Sequence, residues 1–216
     1  MISKSLWVTQ IRPDTRHSRD ARRDVRSAVG LHHRVMSLFP DDLGPSARQQ
    51  AGVLFRLDEG PDGHSVLVQS TVKPDPTRLE DSYGVARAKE LTPLLEQLRP
   101  RTAVRYRITA NATRKLGKNT VAGRPKQLVP LHGQDAEEWW LRQADRAGLT
   151  IRTVASTALP DAGGERRDKH TVTHARTRFD GQALVRDPAA LVEHLVAGFG
   201  RGKSYGCGLL SIAPAR

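Results

Sequence analysis

Residues 198–208 read Gly198-Phe199-Gly200-Arg201-Gly202-Lys203-Ser204-Tyr205-Gly206-Cys207-Gly208. Five glycines in eleven positions permit positive φ and a close approach of backbone to a ligand. Two cations and several free N–H groups in the same stretch make it a candidate phosphate-binding surface. The flanking sequence says which kind. Upstream, Asp187-Pro188 starts a helix that should run to Ala197, with Pro at its first position. Downstream, Cys207–Ala213 should be the last strand. A nucleotide-triphosphate loop needs the opposite order, strand and then helix. Ala197 also stands where the strict motif has Gly, and only twelve residues follow Ser204. The segment is therefore a helix-to-strand connection that closes an α+β unit. Tight packing alone would call for the same glycines, so at this point packing and ligand binding both stand.

Upstream of that unit, Leu149–Thr157 should be a strand, preceded by a helix over Asp135–Ala147 that Gly148 ends. Thr171–Phe179 and Gln182–Val185 should pair around Asp180-Gly181, a dipeptide that suits a hairpin turn. Leu159–Asp168 reads as a polar loop and Gln127–Leu131 as a short strand. In the first half, Leu6–Ile11 should be a strand ended by Pro13. A helix is expected over Asp20–Phe39, with Val25, Ala28, Leu31, Val35, Leu38 and Phe39 three and four apart. Val53–Leu57 and Ser65–Ser70 should form a hairpin. A weak helix over Lys89–Leu98 and a strand over Ala103–Ala110 complete the half. Both halves then read β-α-β-β-α-β, the order of tandem ferredoxin-like (RRM-like) domains. The expected division is a first unit over 1–112, a basic linker over 113–126 and a second unit over 127–216. The open face of such a sheet is a common RNA platform.

Lys plus Arg number 35 against 23 Asp plus Glu, a formal net charge of +12. Such a surface attracts polyanions, and nucleic acid is the default partner. Aromatics are only 5% of residues, which argues against a single-strand binder built on stacking platforms. The one cysteine, Cys207, excludes an intrachain disulfide and a multi-cysteine metal site. No acidic or histidine cluster has metal-ligand spacing, so neither metal nor cofactor is expected. No apolar run is long enough to span a membrane, and the start of the chain has no apolar signal core, so a cytoplasmic protein is expected.

Three motifs resemble one family. The pattern Gly198-Phe199-Gly200, Lys203, Gly206-Cys207-Gly208 resembles the signature loop of the repeat-associated RNA-binding (RAMP) proteins of CRISPR systems. Leu31-His32 followed by Leu38-Phe39-Pro40 is similar to the histidine helix of the type I-E CasE family. Tyr106-Arg107-Ile108-Thr109-Ala110-Asn111, followed by Lys115, resembles its junction strand, with Ala112 in place of a proline.

The resemblance implies a metal-independent endoribonuclease that cuts CRISPR repeat hairpin RNA and keeps the product within the Cascade complex. It implies that His32 is catalytic, and histidine suits the task because it titrates near neutral pH. Two positions depart from the pattern. Val29 stands where several members have Tyr, and Ser37 where some have Lys. Arg23, Arg26, Lys115, Lys118 and Lys203 are the candidates to assist, and the sequence does not choose among them. The expected RNA contacts are Arg23, Arg26, His33, Arg105, Arg107, Arg114, Lys115, Lys118, Gly200, Arg201, Lys203 and Ser204. A binding-only protein of the same fold, and a general basic RNA-binding assembly protein, are the rival readings.

Overall fold

The computed structural model describes residues 5–215, apart from 120, 122, 125 and 166–170. In chain order the first unit contains β1 (Trp7–Pro13), α1 (Arg19–Val25), α2 (Ala28–Met36), a single turn α3 (Ala47–Gln50), β2 (Leu54–Gly60), β3 (Gly63–Ser70) and β4 (Gly84–Glu90). One more turn, α4 (Thr92–Leu95), leads to β5 (Ala103–Ala110), a short hairpin of β6 (Thr113–Lys115) and β7 (Leu128–Pro130), and α5 (Gly133–Arg146). Two long strands, β8 (Leu149–Glu165) and β9 (Thr171–Val185), then α6 (Pro188–Ala197) and β10 (Leu210–Pro214), complete the chain.

Two four-stranded antiparallel sheets result, ordered β2-β3-β1-β4 and β10-β5-β9-β8. Both orders are those of the ferredoxin-like fold, so the expected tandem architecture holds. The second unit is the cleaner of the two. In the first, 3₁₀ turns at Pro76–Arg78 and Asp81–Tyr83 stand between β3 and β4, where the ferredoxin-like fold has its second helix.

Several expectations are corrected. The strand that completes the first sheet is β4, seven residues paired with β1. Ala103–Ala110 instead lies between β9 and β10, in the second sheet. Its apolar residues explain the choice: Val104, Tyr106 and Ile108 are buried with Trp140, Phe179 and Phe199 in the second core. The helix expected over Lys89–Leu98 shrinks to Thr92–Leu95, because Lys89 and Glu90 belong to β4. The helix expected over Asp20–Phe39 breaks at Arg26-Ser27. There the Ser27 hydroxyl accepts from the Gly30 N–H at 3.1 Å and starts a new helix.

The hairpin turn expected at Asp180-Gly181 is absent, since β9 runs straight through it. Gly181 serves close approach: a Cβ there would sit 2.0 Å from the Thr153 carbonyl oxygen, beside a register shift in β8. The loop expected from Leu159 is instead a continuation of β8 to Glu165, with residues 166–168 outside the described residues. The segment 113–126, expected as a linker, begins with β6, and β6 pairs with β7.

The units are sewn together at β2. Arg56 is buried and donates to Asp58 on its own strand. Its Nη1 donates to the Arg107 carbonyl at 3.1 Å and to the Ser211 hydroxyl at 2.9 Å, in the other sheet. Gly198 seats against Leu54, where a Cβ would meet the leucine methyls at 2.8 Å. The Gly-rich loop therefore closes the second unit and abuts the first.

Candidate nucleic-acid interface and active site

His32 lies on the short helix α2, one position after buried Leu31 and three before buried Val35. That offset places it at the edge of the apolar stripe, half-buried. Its ring lies 6.3 Å from the Phe55 ring of β2, with the planes 30° apart. The Nδ1 atom is shielded from solvent and has no hydrogen-bond partner among the described residues. A buried polar atom left alone is a position that a bound group can satisfy.

Burial first, then the charges of His33 and Arg48, hold the His32 pKa down at about 4. At neutral pH the ring is uncharged and able to accept a proton.

This depression has a consequence for stability. The unfolded histidine titrates near the ordinary value of 6.5, the folded one near 4. Between those values the unfolded chain binds more protons, so the contribution of His32 is complete above about pH 6.5 and fades as pH falls towards 4. The urea midpoint of the wild type should therefore drop more steeply from pH 6.5 to 4 than that of His32→Gln. Parallel curves would contradict the burial of a neutral ring.

The 3₁₀ turn Lys203–Tyr205 of the Gly-rich loop packs against α2 and β2. Gly202 and Gly206, both left-handed with φ of 73° and 77°, flank this turn and set its direction. Lys203 is half-buried there, its ammonium donating to the Ala197 carbonyl at 2.6 Å. Burial and then the charge of Arg48 lower its pKa. The structure thus packs the helix that carries His32 against the turn that carries Lys203 and Ser204, from segments some 170 residues apart. Elsewhere in the loop, the tight φ of Gly200 brings its backbone against Trp139, and Arg201 bridges to Asn111 with its side chain exposed.

The other expected contacts are distributed differently. His33 is exposed and shares a shallow depression with Arg23, Arg34 and Ser37. The Ser37 hydroxyl donates to the Arg34 carbonyl at 2.8 Å and caps the helix. Val29, one turn before His32, offers no polar atom. Neither residue replaces the missing Tyr or Lys. Arg23 is held by Asp20 at 2.9 Å and Asp24 at 3.0 Å. Arg107 donates to Asp180 at 2.5 Å and lies 3.8 Å from Asp58. Both are already neutralised.

Arg26 is exposed and lines a cleft of about 1060 Å³ between α1, β2 and the β8–β9 arm, with Arg22, Arg176, Arg178 and Tyr205 also on its walls. Arg105 is exposed on β5, and Arg114, Lys115 and Lys118 are exposed on β6 and the turn after it. None of these four has a carboxylate partner among the described residues.

Sequence reasoning missed Arg48. It lies on α3, in a polar stretch with no period to mark it, and its charge acts on both His32 and Lys203. Cys207 is buried, which pushes its thiol up to about 12 and leaves it a packing residue. Among the described residues no group of three or more His, Cys, Asp or Glu is placed to hold a metal ion. No described helix is long and apolar enough to cross a membrane.

The family sequence model described as CRISPR associated protein matches residues 6–214. The CRISPR-associated endoribonuclease Cse3 of Thermus thermophilus is 29% identical, over 97% of this chain and 100% of its own length. The Cascade subunit CasE of Escherichia coli is 28% identical, over 90% of this chain and 96% of its own. The structure of Thermus thermophilus Cse3 bound to an RNA representing a pre-cleavage complex superposes with a TM-score of 0.79 at 26% identity, covering 97% of this chain and 100% of that one. With a match that spans both sheets, the histidine helix and the Gly-rich loop, the chain belongs to the CRISPR-associated protein family, in its type I-E CasE branch.

Proposed function

We propose that this chain is a metal-independent endoribonuclease that cuts CRISPR repeat hairpin RNA and stays bound to its product as a Cascade subunit in the cytoplasm. The observation that carries the reading is the packing of the helix of His32, neutral and half-buried, against the turn of the Gly-rich loop that carries Lys203, a cation with no carboxylate partner among the described residues. The similarity to Cse3 and CasE, an endoribonuclease and a Cascade subunit by name, supports the same class of activity here.

In this reading His32 accepts the proton of the 2′-hydroxyl. The freed oxygen attacks its own phosphorus, and the bond from phosphorus to the 5′-oxygen breaks. A proton from water completes the 5′-hydroxyl, and a 2′,3′-cyclic phosphate remains. The bound phosphate raises the His32 pKa from its value in the free protein, which strengthens it as a base once substrate is present. Alignment of the 2′-oxygen with the leaving oxygen supplies much of the remaining acceleration.

The stem is held by shape and phosphate contacts, because A-form grooves hide most base edges. Arg105, Arg114, Lys115 and Lys118, all exposed, are the cations for that task, and Arg26 serves the cleft side. Arg23 and Arg107 act as framework, since carboxylates already hold them.

Competition binding tests the partner. Unlabelled cognate repeat hairpin should displace labelled hairpin at least tenfold better than an unrelated duplex of equal length, at fixed salt. Equal displacement by both, with the same steep salt dependence, would indicate a general basic RNA binder instead.

A further inference from the structure

We propose that Arg48 is a catalytic residue that contacts a non-bridging oxygen of the scissile phosphate, filling the role left vacant by Val29 and Ser37. The proposal rests on the endoribonuclease reading above and goes beyond it by assigning the group that stabilises the pentacoordinate phosphorane.

The geometry begins at the start of β2. Arg48 Nη1 donates to the Val53 carbonyl at 2.9 Å, which ties the guanidinium to the residue before β2. Two residues further along, Phe55 stacks its ring against His32 at 6.3 Å. Between them, Leu54 receives Gly198 at the head of the Gly-rich loop, and Phe55 receives Gly206 at the far side of the Lys203 turn, 3.4 Å from where a Cβ would lie. Residues 53–55 are thus a common floor for the histidine, the lysine loop and this arginine.

The charge pattern is the second observation. Most guanidiniums near this region are matched by carboxylates: Arg34 by Asp24, Arg56 by Asp58, Arg78 by Asp41, Arg107 and Arg178 by Asp180. Arg48 has only the Val53 carbonyl among the described residues, and Lys203 only that of Ala197. Two half-buried cations without counter-ions among the described residues, with the charge of Arg48 acting on both Lys203 and a neutral histidine, make a site that a single phosphate would neutralise. Arg48 retains four N–H donors beyond the one given to Val53, arranged in the planar fork that suits phosphate oxygens.

Chemistry separates this role from simple RNA binding. Negative charge builds on the non-bridging oxygens as the 2′-oxygen attacks, so a preplaced donor there acts more strongly on the transition state than on bound substrate.

The test is single-turnover cleavage of cognate repeat hairpin by wild type, Arg48→Gln and Arg48→Lys, with hairpin affinity measured on a substrate carrying 2′-deoxy at the cut. Loss of one such donor lowers the rate by about 10²- to 10³-fold. Arg48→Gln should show that loss with hairpin affinity kept within about threefold, and Arg48→Lys should recover part of the rate. Sulfur in place of one non-bridging oxygen should slow the wild type in one diastereomer and leave Arg48→Gln insensitive. A rate in Arg48→Gln within threefold of wild type, or a sulfur effect equal in both proteins, would overturn the proposal. A fall in rate matched by an equal fall in affinity or in unfolding midpoint would overturn it too, since Arg48 would then be a prop for Val53. A wild-type protein that binds the hairpin and cuts nothing would instead reject the endoribonuclease reading, a result distinguishable from all of these.

Discussion

His32→Ala is expected to lower the single-turnover rate on repeat hairpin by about 10²- to 10⁴-fold, the usual contribution of one general base. Hairpin affinity should change little, because the stem cations lie on β5 and on the β6–β7 hairpin. The variant should fold, since His32 sits at the rim of the stripe and contributes no hydrogen bond through Nδ1. His33→Ala is the internal control. That side chain is exposed and belongs to the depression on the Arg34 side of α2, so its loss should leave the rate within a few-fold of wild type. Equal losses at both positions would point to damage to α2 and away from a base at 32.

Arg56→Ala should cost about 3 kcal/mol of stability, near the low end for removing one partner of a buried ion pair. Burial of Arg56 argues for a large effect, as only 4% of the residue is exposed. Truncation strands Asp58 and takes one donor from each of the Arg107 carbonyl and the Ser211 hydroxyl, which keep their bond to each other at 3.2 Å. Two features limit the loss: Asp58 is 23% exposed, and Arg107 reaches it at 3.8 Å. Lysine should not rescue, because one ammonium cannot reproduce the fork that spans Asp58 and the other sheet. Urea unfolding measures the loss. The cleavage rate should also fall, since Arg56 ties the sheet that carries Phe55 to the unit that carries the Lys203 turn. An unfolding free energy within 1 kcal/mol of wild type would show that the two sheets hold together by apolar contact alone.

Much of the second unit could be read from sequence. Asp187-Pro188 announced α6, and the Asp187 carboxylate does accept from the Ala189 and Ala190 N–H groups. The glycines of 198–208 announced a tight connection, and Gly198, Gly200, Gly202, Gly206 and Gly208 all have positive φ. Gly208 shows why: a Cβ would lie 2.5 Å from the Phe199 carbonyl oxygen.

The errors have physical causes. β4 went unread because its inward residues are small: Ala86 and Ala88 alternate with Arg87 and Lys89, which gives a weak period of two. Asp180-Gly181 carried the chemistry of a turn, yet its glycine answers to the carbonyl of a neighbouring strand, a tertiary demand that no local pattern records. The strand over Ala103–Ala110 was legible, whereas the sheet it joins was decided by Trp140, Phe179 and Phe199, far along the chain.

At the site, His32 and Lys203 could be named from their motifs. Arg48 could not, since its relevance comes only from the fold that brings residues 53–55 under both of them. Likewise, nothing in sequence distinguished Arg107, which holds Asp180, from exposed Arg105 two residues away.

The most direct test is to incubate the protein in excess chelator with labelled cognate repeat RNA, beside the same RNA carrying a single 2′-deoxy at the cut. The account predicts one cut in the first, a 2′,3′-cyclic phosphate and a 5′-hydroxyl at its ends, and no cut in the second. Cleavage that needs added metal, or that persists on the 2′-deoxy substrate, would contradict it.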